Sequence, residues 1–363
     1  MIAFGVTEEE QLLEESARRF GDDRLRGPER DHEHDRGYPS AVRAEFAEMG
    51  FGAMSLPEAM GGADLPLAVV ARAWEKLAAA DPSAAIAMSI PGITALARSR
   101  AGAEIAKTRK PGAVIVVDSR SEAMGGGGNA GSASGAGGNA PRGVAERRPG
   151  AFEIPWVPCA NPEWIAIVYP DGVELATDLT ATAIVGSPCG LRAAGASKVT
   201  VKETNREPIA DASEAAKWLV ELRVFAAACM MGAARDAASY ARKYCMERIA
   251  FGKPIAHHQG LAFALVDAAT DLDIAGLALA AATVNLDPIE VANAHALVTE
   301  TALQVADRSV QALGGHGYLF DHPVEKRMRD IRALASLYGG AAASSRDAAD
   351  AVLTIPNAME VSK

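Results

Sequence analysis

The strongest structural signal in the chain lies in residues 308–340, which read RSVQALGGHGYLFDHPVEKRMRDIRALASLYGG. Apolar residues at helical spacing up to Leu313 predict an amphipathic helix that ends at Gly314-Gly315. A charged run from Pro323 onward predicts that a second helix follows. The paired glycines are either an ordinary helix C-cap or bare backbone on which a ligand lies, and this stretch alone leaves both open.

A second motif stands upstream, where residues 248–259 read RIAFGKPIAHHQ. Together with VQALGGHGY and PVEKRMRD, it resembles the carboxy-terminal domain of the acyl-CoA dehydrogenases. In that family, the matching residues hold the FAD of a neighbouring subunit. The resemblance therefore implies a cofactor site formed by Arg248, Phe251, Gln259, Gln311, Gly314 and Gly315.

The composition excludes several other classes of protein. A formal net charge of -10 and a pI near 5.3 make a nucleic-acid partner unfavourable. No apolar run reaches the ~18 to 20 residues that cross a bilayer, and the first residues lack the pattern of a signal peptide. The four cysteines have no C-x-x-C spacing. We therefore expect a cytoplasmic protein with no nucleic-acid and no membrane partner.

Residues 1–112 resemble the helical amino-terminal domain of the same family. Thr7 followed by Glu10 predicts a capping box at the start of the first helix, and the E-x-G-F and P-E-x-x-G-G segments of the family follow in order. His32 and His34 raise the question of a metal site. Their setting among charged residues favours a solvated loop, and no metal is predicted.

Residues 113–208 are expected to form a shortened middle β domain. The run AVIVVD at 113–118 predicts a buried strand. The Gly-rich loop 121–143 stands where the family carries a flavin-binding loop, and its composition favours a flexible linker. The resemblance also places Trp156 against the flavin ring. Pro158 occupies the position of a flavin-contacting threonine and has no hydroxyl.

The sequence of residues 209–355 predicts long helices with short connections. Residues 356–363 are predicted to form a tail. Ser213 is the expected N-cap of the first of these helices, and Pro288 the break between the next two. The whole chain is therefore predicted to have an α+β fold similar to the acyl-CoA dehydrogenases. It would comprise an N-terminal helical domain, a small middle β-barrel domain and a C-terminal four-helix bundle.

The usual catalytic base of the family is missing from this sequence. Dehydrogenation of an acyl thioester needs a carboxylate that removes the proton α to the carbonyl. The family's glutamate falls on Tyr338 or Gly339, depending on the alignment, and the alternative position in some members falls on Leu222. Glu221 lies one residue away, about 100° around the helix. Glu221 and Tyr338 are therefore the candidate catalytic residues, with Arg223 as a substrate-binding candidate.

Three functions remain open from the sequence. The first is an FAD-dependent acyl-CoA dehydrogenase, an oxidoreductase acting on the CH–CH group of an acyl-CoA thioester. The second is a non-catalytic subunit that completes the FAD site of an intact family member. The third is a flavin-free acyl-CoA-binding relative. Because the family shares each FAD between subunits, the chain is expected to form a homo-oligomer, dimer or tetramer, or a hetero-oligomer.

Overall fold

The computed structural model describes residues 7–97, 99–108, 110–117, 150–184 and 189–354. The predicted Gly-rich loop 121–143 and the tail 356–363 lie outside these residues. The predicted domain boundaries at 112, 208 and 355 stay predictions. The described strands extend slightly past the second of them, to Asp211.

The amino-terminal part is helical. Thr7 caps the first helix, because its hydroxyl accepts from the N–H of Glu10 at 3.2 Å and its own N–H donates to the Glu10 carboxylate at 3.0 Å, as the capping box predicted. Short connections, including a π-helical turn after the first helix, link the helices. These are α1 (Glu8–Phe20), α2 (Glu29–Asp35), α3 (Ser40–Glu48), α4 (Leu67–Ala80), α5 (Pro82–Met88), α6 (Ile93–Leu96) and α7 (Arg100–Thr108).

The prediction of a solvated loop around His32 and His34 is wrong, because both residues lie in α2. His32 is buried, with its ring centroid 4.7 Å from that of Tyr38. Burial lowers the pKa of His32 and so favours the neutral ring. Among the described residues, no group of three or more His, Cys, Asp or Glu side chains is arranged to hold a metal ion.

Two sheets form the middle part. One has the strand order β1-β3-β4-β7, with β1 and β3 parallel, and the other the order β2-β6-β5. Alternate residues of both sheets meet in one apolar core, which contains Ile154, Ile167 and Val199. The strands are β1 (Gly112–Val116), β2 (Phe152–Val157), β3 (Trp164–Tyr169), β4 (Gly172–Ala176), β5 (Leu179–Ala183), β6 (Ser197–Val201) and β7 (Arg206–Asp211).

The carboxy-terminal part is a helical bundle around one long central helix, α8 (Ala212–Glu247). Its N-cap is Asp211, whose side chain accepts from the N–H of Glu214, and not the predicted Ser213. Pro288 is the first residue of its helix, where a missing N–H costs nothing. A two-stranded ribbon, β8 (Ile249–Ala250) and β9 (Lys253–Pro254), leads to α9 (Gln259–Asn285), α10 (Pro288–Ala312), α11 (Val324–Leu334) and α12 (Gly340–Thr354).

Helix α8 also joins the bundle to the amino-terminal helices. A Cβ added at Gly232 would lie 2.1 Å from the carbonyl oxygen of Glu75, so α8 and α4 cross in close contact. No helix within the described parts of the chain has both the length and the apolar character needed to cross a membrane.

Buried ion pairs reinforce the same junction. The ammonium group of Lys326, which is 1% exposed, lies 2.8 Å from carboxylate oxygens of both Asp81 and Asp330. The neighbouring Arg327 contacts Glu29 at 2.6 Å and Asp236 at 2.9 Å. The charged PVEKRMRD segment therefore lies in the interior, where its charges connect α11 to α2, to α8 and to the residue that ends α4.

Candidate active site

A cavity lies between the amino-terminal helices and the first strands of the β domain. Its wide part, here called the outer cavity, has a volume of about 440 Å³. A narrow space of about 30 Å³, here called the inner pocket, adjoins it. The two parts share Ile86, Ser89, Ile90, Gly112, Pro158 and Trp164 as walls.

Tyr338 and Phe225 line the inner pocket but not the outer cavity. Tyr338 is 9% exposed and takes a left-handed backbone conformation, with φ 53°. Burial raises its pKa above that of an ordinary tyrosine, so the phenol stays protonated at neutral pH. A protonated phenol donates a hydrogen bond but does not accept a proton. This favours Glu221 over Tyr338 as the base.

Glu221 lies on α8, one helical turn before Phe225, and is mostly buried. Ser55 donates a hydrogen bond of 3.4 Å to its Oε1, and the backbone of Gly92 also hydrogen-bonds the carboxyl. Among the described residues, no Lys or Arg forms an ion pair with it. Burial raises the pKa of Glu221 to about 7, because the charged form loses water without gaining a cation. Its side chain stands beside the cavity wall rather than among the lining residues.

Leu222 and Arg223, the next two residues of α8, face other surroundings. Leu222 is fully buried in the apolar core. Arg223 is buried and ion-paired with Asp347 on α12. Nearby, Nδ1 of His295 is 2.9 Å from the hydroxyl of Ser344. Arg223 does not line the cavity, so its predicted contact with the substrate is not part of this arrangement.

The predicted cofactor residues lie elsewhere, at one end of the bundle. The six residues are all exposed, and Phe251 is 95% exposed with φ 53°. Tyr244 in the last turn of α8 hydrogen-bonds His316 at 3.0 Å, which brings the two sequence motifs to the same end. The six are Arg248, Phe251, Gln259, Gln311, Gly314 and Gly315.

The paired glycines follow the end of α10, and their role as a ligand surface stays a prediction. Gly314 follows the last residues of α10 in a left-handed conformation, with φ 58°. No atom lies within 4 Å of a Cβ added at Gly314 or Gly315, so their backbone faces open space. A positive side chain, two amides and bare backbone fit the phosphates and adenosine of a dinucleotide. The bundle end therefore fits this part of FAD.

The residues expected to contact the flavin ring are arranged less favourably. Trp156 on β2 is partly buried and packs against the main core. Pro158 lines both the outer cavity and the inner pocket, without a hydroxyl or an N–H. The inner pocket holds about two water molecules by volume. Within the described residues, none of the six exposed residues at the bundle end lines the outer cavity or the inner pocket, so the two halves of the site are separate in one chain.

Several residues of the site are missing from the sequence-based prediction. Ser55 and Gly92 contact Glu221, and Arg43, Ser89 and Lys110 line the outer cavity. None stands in a recognisable motif. Their helices and strands are far apart in the chain, and no local pattern connects them.

Comparison with known proteins identifies the chain. The family described as "Acyl-CoA dehydrogenase, N-terminal domain" matches residues 7–109, and "Acyl-CoA dehydrogenase, C-terminal domain" matches residues 213–353. Benzylmalonyl-CoA dehydrogenase of Aromatoleum aromaticum is 27% identical over 93% of this chain and 95% of that protein. Cyclohex-1-ene-1-carbonyl-CoA dehydrogenase of Syntrophus aciditrophicus is 36% identical, over 32% of this chain and 30% of its own length.

Solved structures share the fold. Butyryl-CoA dehydrogenase from Megasphaera elsdenii has a TM-score of 0.75 at 19% identity, covering 97% of this chain and 100% of that chain. The glutaryl-coenzyme A dehydrogenase complex with glutaryl-CoA has a TM-score of 0.78 at 18% identity, covering 98% of each chain. With both terminal domains matched and the three-part architecture shared, this chain belongs to the acyl-CoA dehydrogenase family.

Proposed function

We propose that this chain is an FAD-dependent acyl-CoA dehydrogenase in which Glu221 removes the proton α to the thioester carbonyl. One observation carries the proposal. Glu221 is a mostly buried carboxyl next to the cavity wall, without an ion-pair partner among the described residues, and its pKa is raised to about 7. A base with a pKa near the working pH is best suited to proton transfer. A structural carboxylate in the interior would instead carry a cation, as Asp81 does.

The protein supplies the surroundings of this proton transfer. The inner pocket has room for only about two water molecules, so a bound substrate would displace most of the water from it. Ser55 and Gly92 hold the carboxyl beside Pro91, which lines the inner pocket. Glu221 is not among the residues that line the inner pocket, so its side chain must change conformation to reach a substrate there. Catalytic hydrogen bonds often tighten only when substrate binds. Tyr338 lines the inner pocket, and its protonated phenol can donate a hydrogen bond to the substrate there.

Bound FAD would supply the acceptor for the hydride that leaves the β carbon. Arg248, Gln259, Gln311 and the Gly314-Gly315 backbone would hold its dinucleotide part. Because these groups are exposed and apart from the cavity of their own chain, they serve the cavity of a second subunit. The proposed enzyme is therefore an oligomer. Its four cysteines are free, which supports the predicted cytoplasmic location.

The test is anaerobic reduction of the bound flavin by a panel of acyl-CoA thioesters, followed by its visible absorbance. Glu221→Gln keeps the size of the side chain and is expected to slow flavin reduction by at least about 100-fold, the usual range for a general base. Glu247→Gln, on an exposed carboxyl of the same helix, is the matched control and keeps the parent rate. Equal rates for parent and Glu221→Gln exclude Glu221 as the base.

A second candidate is a subunit that completes the FAD site of an intact relative. Two observations favour it. Among the residues that the structure describes, no carboxylate lines the outer cavity or the inner pocket, and Pro158 has no N–H or hydroxyl to donate to the flavin. In this case the purified chain is colourless by itself. It would nevertheless raise the flavin content of an intact family member on mixing, and Arg248→Ala would abolish that gain.

A further inference from the structure

We infer that the outer cavity binds the distal end of an acyl group that carries a terminal carboxylate, so that the substrate class is the CoA thioester of a dicarboxylic acid. The inference rests on the proposed function for the thioester end. For the distal end, it rests on the charge, the polarity and the size of the outer cavity.

The outer cavity joins an apolar interior to a positively charged border. Its walls include Phe46, Ile86, Met88, Ile90 and Trp164. Two cationic residues, Arg43 and Lys110, also line it, and no acidic residue does so within the described part of the chain. An elongated ligand with an apolar body and an anionic end matches this distribution.

Both cations are available to a ligand. Arg43 forms no ion pair within the described residues. Its Nε donates only a long hydrogen bond of 3.4 Å to the carbonyl of Tyr38. Lys110 pairs with Glu163 at 3.3 Å, but both side chains are about half exposed. Exposed pairs of this kind are weak, because water and salt screen them. A carboxylate on the ligand therefore competes effectively with Glu163.

Ser89 supplies a polar group further inside. It lies where the outer cavity meets the inner pocket and is 7% exposed. Its hydroxyl is buried and has no hydrogen-bond partner in the described part of the chain. Buried hydroxyls are almost always hydrogen-bonded. A ligand oxygen at this junction would satisfy the hydroxyl, whereas a purely hydrocarbon chain would leave it unpaired.

The size of the outer cavity fits such a substrate. An apolar protein cavity of about 150 Å³ accommodates benzene. The outer cavity, at about 440 Å³, is roughly three times larger. It therefore has room for an alkyl or aryl spacer between the thioester and the carboxylate.

The test compares adipyl-CoA with hexanoyl-CoA, which have the same chain length and differ by the terminal carboxylate. Binding to the full-length protein, with its flavin, is measured by titration calorimetry at low and at high salt. At low salt, adipyl-CoA is expected to bind at least about 10-fold more tightly than hexanoyl-CoA, which is the gain from one charge-assisted hydrogen bond. At high salt this preference should be smaller, because salt screens the charges. Arg43→Gln should reduce the preference to about twofold or less. Ser89→Ala should weaken the binding of adipyl-CoA more than that of hexanoyl-CoA.

Controls separate this inference from the proposed activity. Arg19→Gln, an exposed arginine on α1 away from the cavity, should keep the preference. Equal affinity of the two thioesters, or a preference that Arg43→Gln leaves intact, overturns the inference. If hexanoyl-CoA alone binds and reduces the flavin, the proposed activity holds and the inference fails. If adipyl-CoA binds in an Arg43-dependent way without flavin reduction, the inference holds and the activity fails.

Discussion

The hydroxyl of Ser55 donates a hydrogen bond of 3.4 Å to Oε1 of Glu221, so a connecting segment of the amino-terminal part holds a carboxyl of the central bundle helix. This contact stabilises the charged form of Glu221, whereas burial destabilises it and has the larger effect on its pKa. The balance leaves the pKa near neutrality, where small changes in the surroundings alter the protonation state.

Removing the Ser55 hydroxyl is therefore expected to raise the pKa of Glu221 further. In the Ser55→Ala variant, flavin reduction by an acyl-CoA should require a higher pH, with a midpoint shifted upward by up to about one unit, since a typical hydrogen bond contributes about 1 kcal/mol. The measurement is the rate of flavin bleaching across about pH 5 to 9. Ser213→Ala, at an exposed position, is the control. An unchanged midpoint would contradict a role for Ser55 in tuning this carboxyl.

Glu221 also predicts a pH dependence of stability. Its folded-state pKa of about 7 exceeds the ordinary value of 4.5, so the folded chain binds this proton more tightly than the unfolded chain. The free energy of unfolding should therefore fall as pH rises between these two values, because the buried carboxyl must ionise. This loss of stability is fully present above about pH 7 and is at most on the order of 3 kcal/mol. Glu221→Gln removes the cost. Its gain in denaturant midpoint should be larger at pH 8 than at pH 5, and an equal gain at both would refute the shift.

Gly92 is expected to tolerate no side chain. Its φ is +76°, and an added Cβ would lie 1.2 Å from Nε1 of Trp218, which itself donates to the carbonyl of Pro91 at 2.9 Å. Gly92→Ala should lower the free energy of unfolding by at least about 3 kcal/mol, combining backbone strain with overpacking.

The control for Gly92 is Gly61, which has a similar φ of +82° but nothing within 4 Å of an added Cβ. Gly61→Ala should cost only about 1 to 2 kcal/mol, from the left-handed backbone alone. Denaturant unfolding of both variants measures the difference. Similar losses for both would show that the contact with Trp218 relaxes easily.

The buried ion pairs of Lys326 are expected to contribute more to stability than a half-exposed ion pair does. Lys326→Met leaves two carboxylates, Asp81 and Asp330, without their shared cation in the interior. The expected loss is about 3 to 5 kcal/mol in the free energy of unfolding. Asp307→Asn, which breaks the half-exposed pair with Arg332, should cost less than about 1 kcal/mol. A small loss for Lys326→Met would mean that the carboxylates are protonated or hydrated instead.

Arg248 tests the placement of the cofactor. Its exposed guanidinium at the end of α8 is expected to bind phosphate oxygens of FAD in a neighbouring subunit. Arg248→Ala should lower the flavin content of the purified oligomer, measured by its visible absorbance relative to protein, by at least about 10-fold. Arg242→Ala, also exposed on α8, should keep the parent content. Unchanged flavin in Arg248→Ala would refute the placement.

The family and the three-part fold could be predicted from the sequence. The motifs at 248–259 and 308–340 are local, and the distance between them along the chain matches the helices that connect them. The candidate cofactor residues came from the same motifs and remain predictions. The structure corrected local details, such as the Asp211 cap and the helix around His32. Neighbouring polar residues compete for the N-cap position of a helix. Whether a helix is buried depends on which other elements of the fold pack against it.

The surroundings of the candidate base could not be predicted. Glu221 is one of many glutamates in the sequence, and no pattern distinguishes it from an exposed carboxyl. Its pKa is raised because elements from distant parts of the chain pack around the carboxyl and bury it, and the hydrogen bonds from Ser55 and Gly92 offset only part of that effect. The same holds for Arg43, Ser89 and Lys110, which meet only at the outer cavity. Short-range spacing encodes helices and motifs, whereas desolvation and charge complementarity arise only when separate elements pack together.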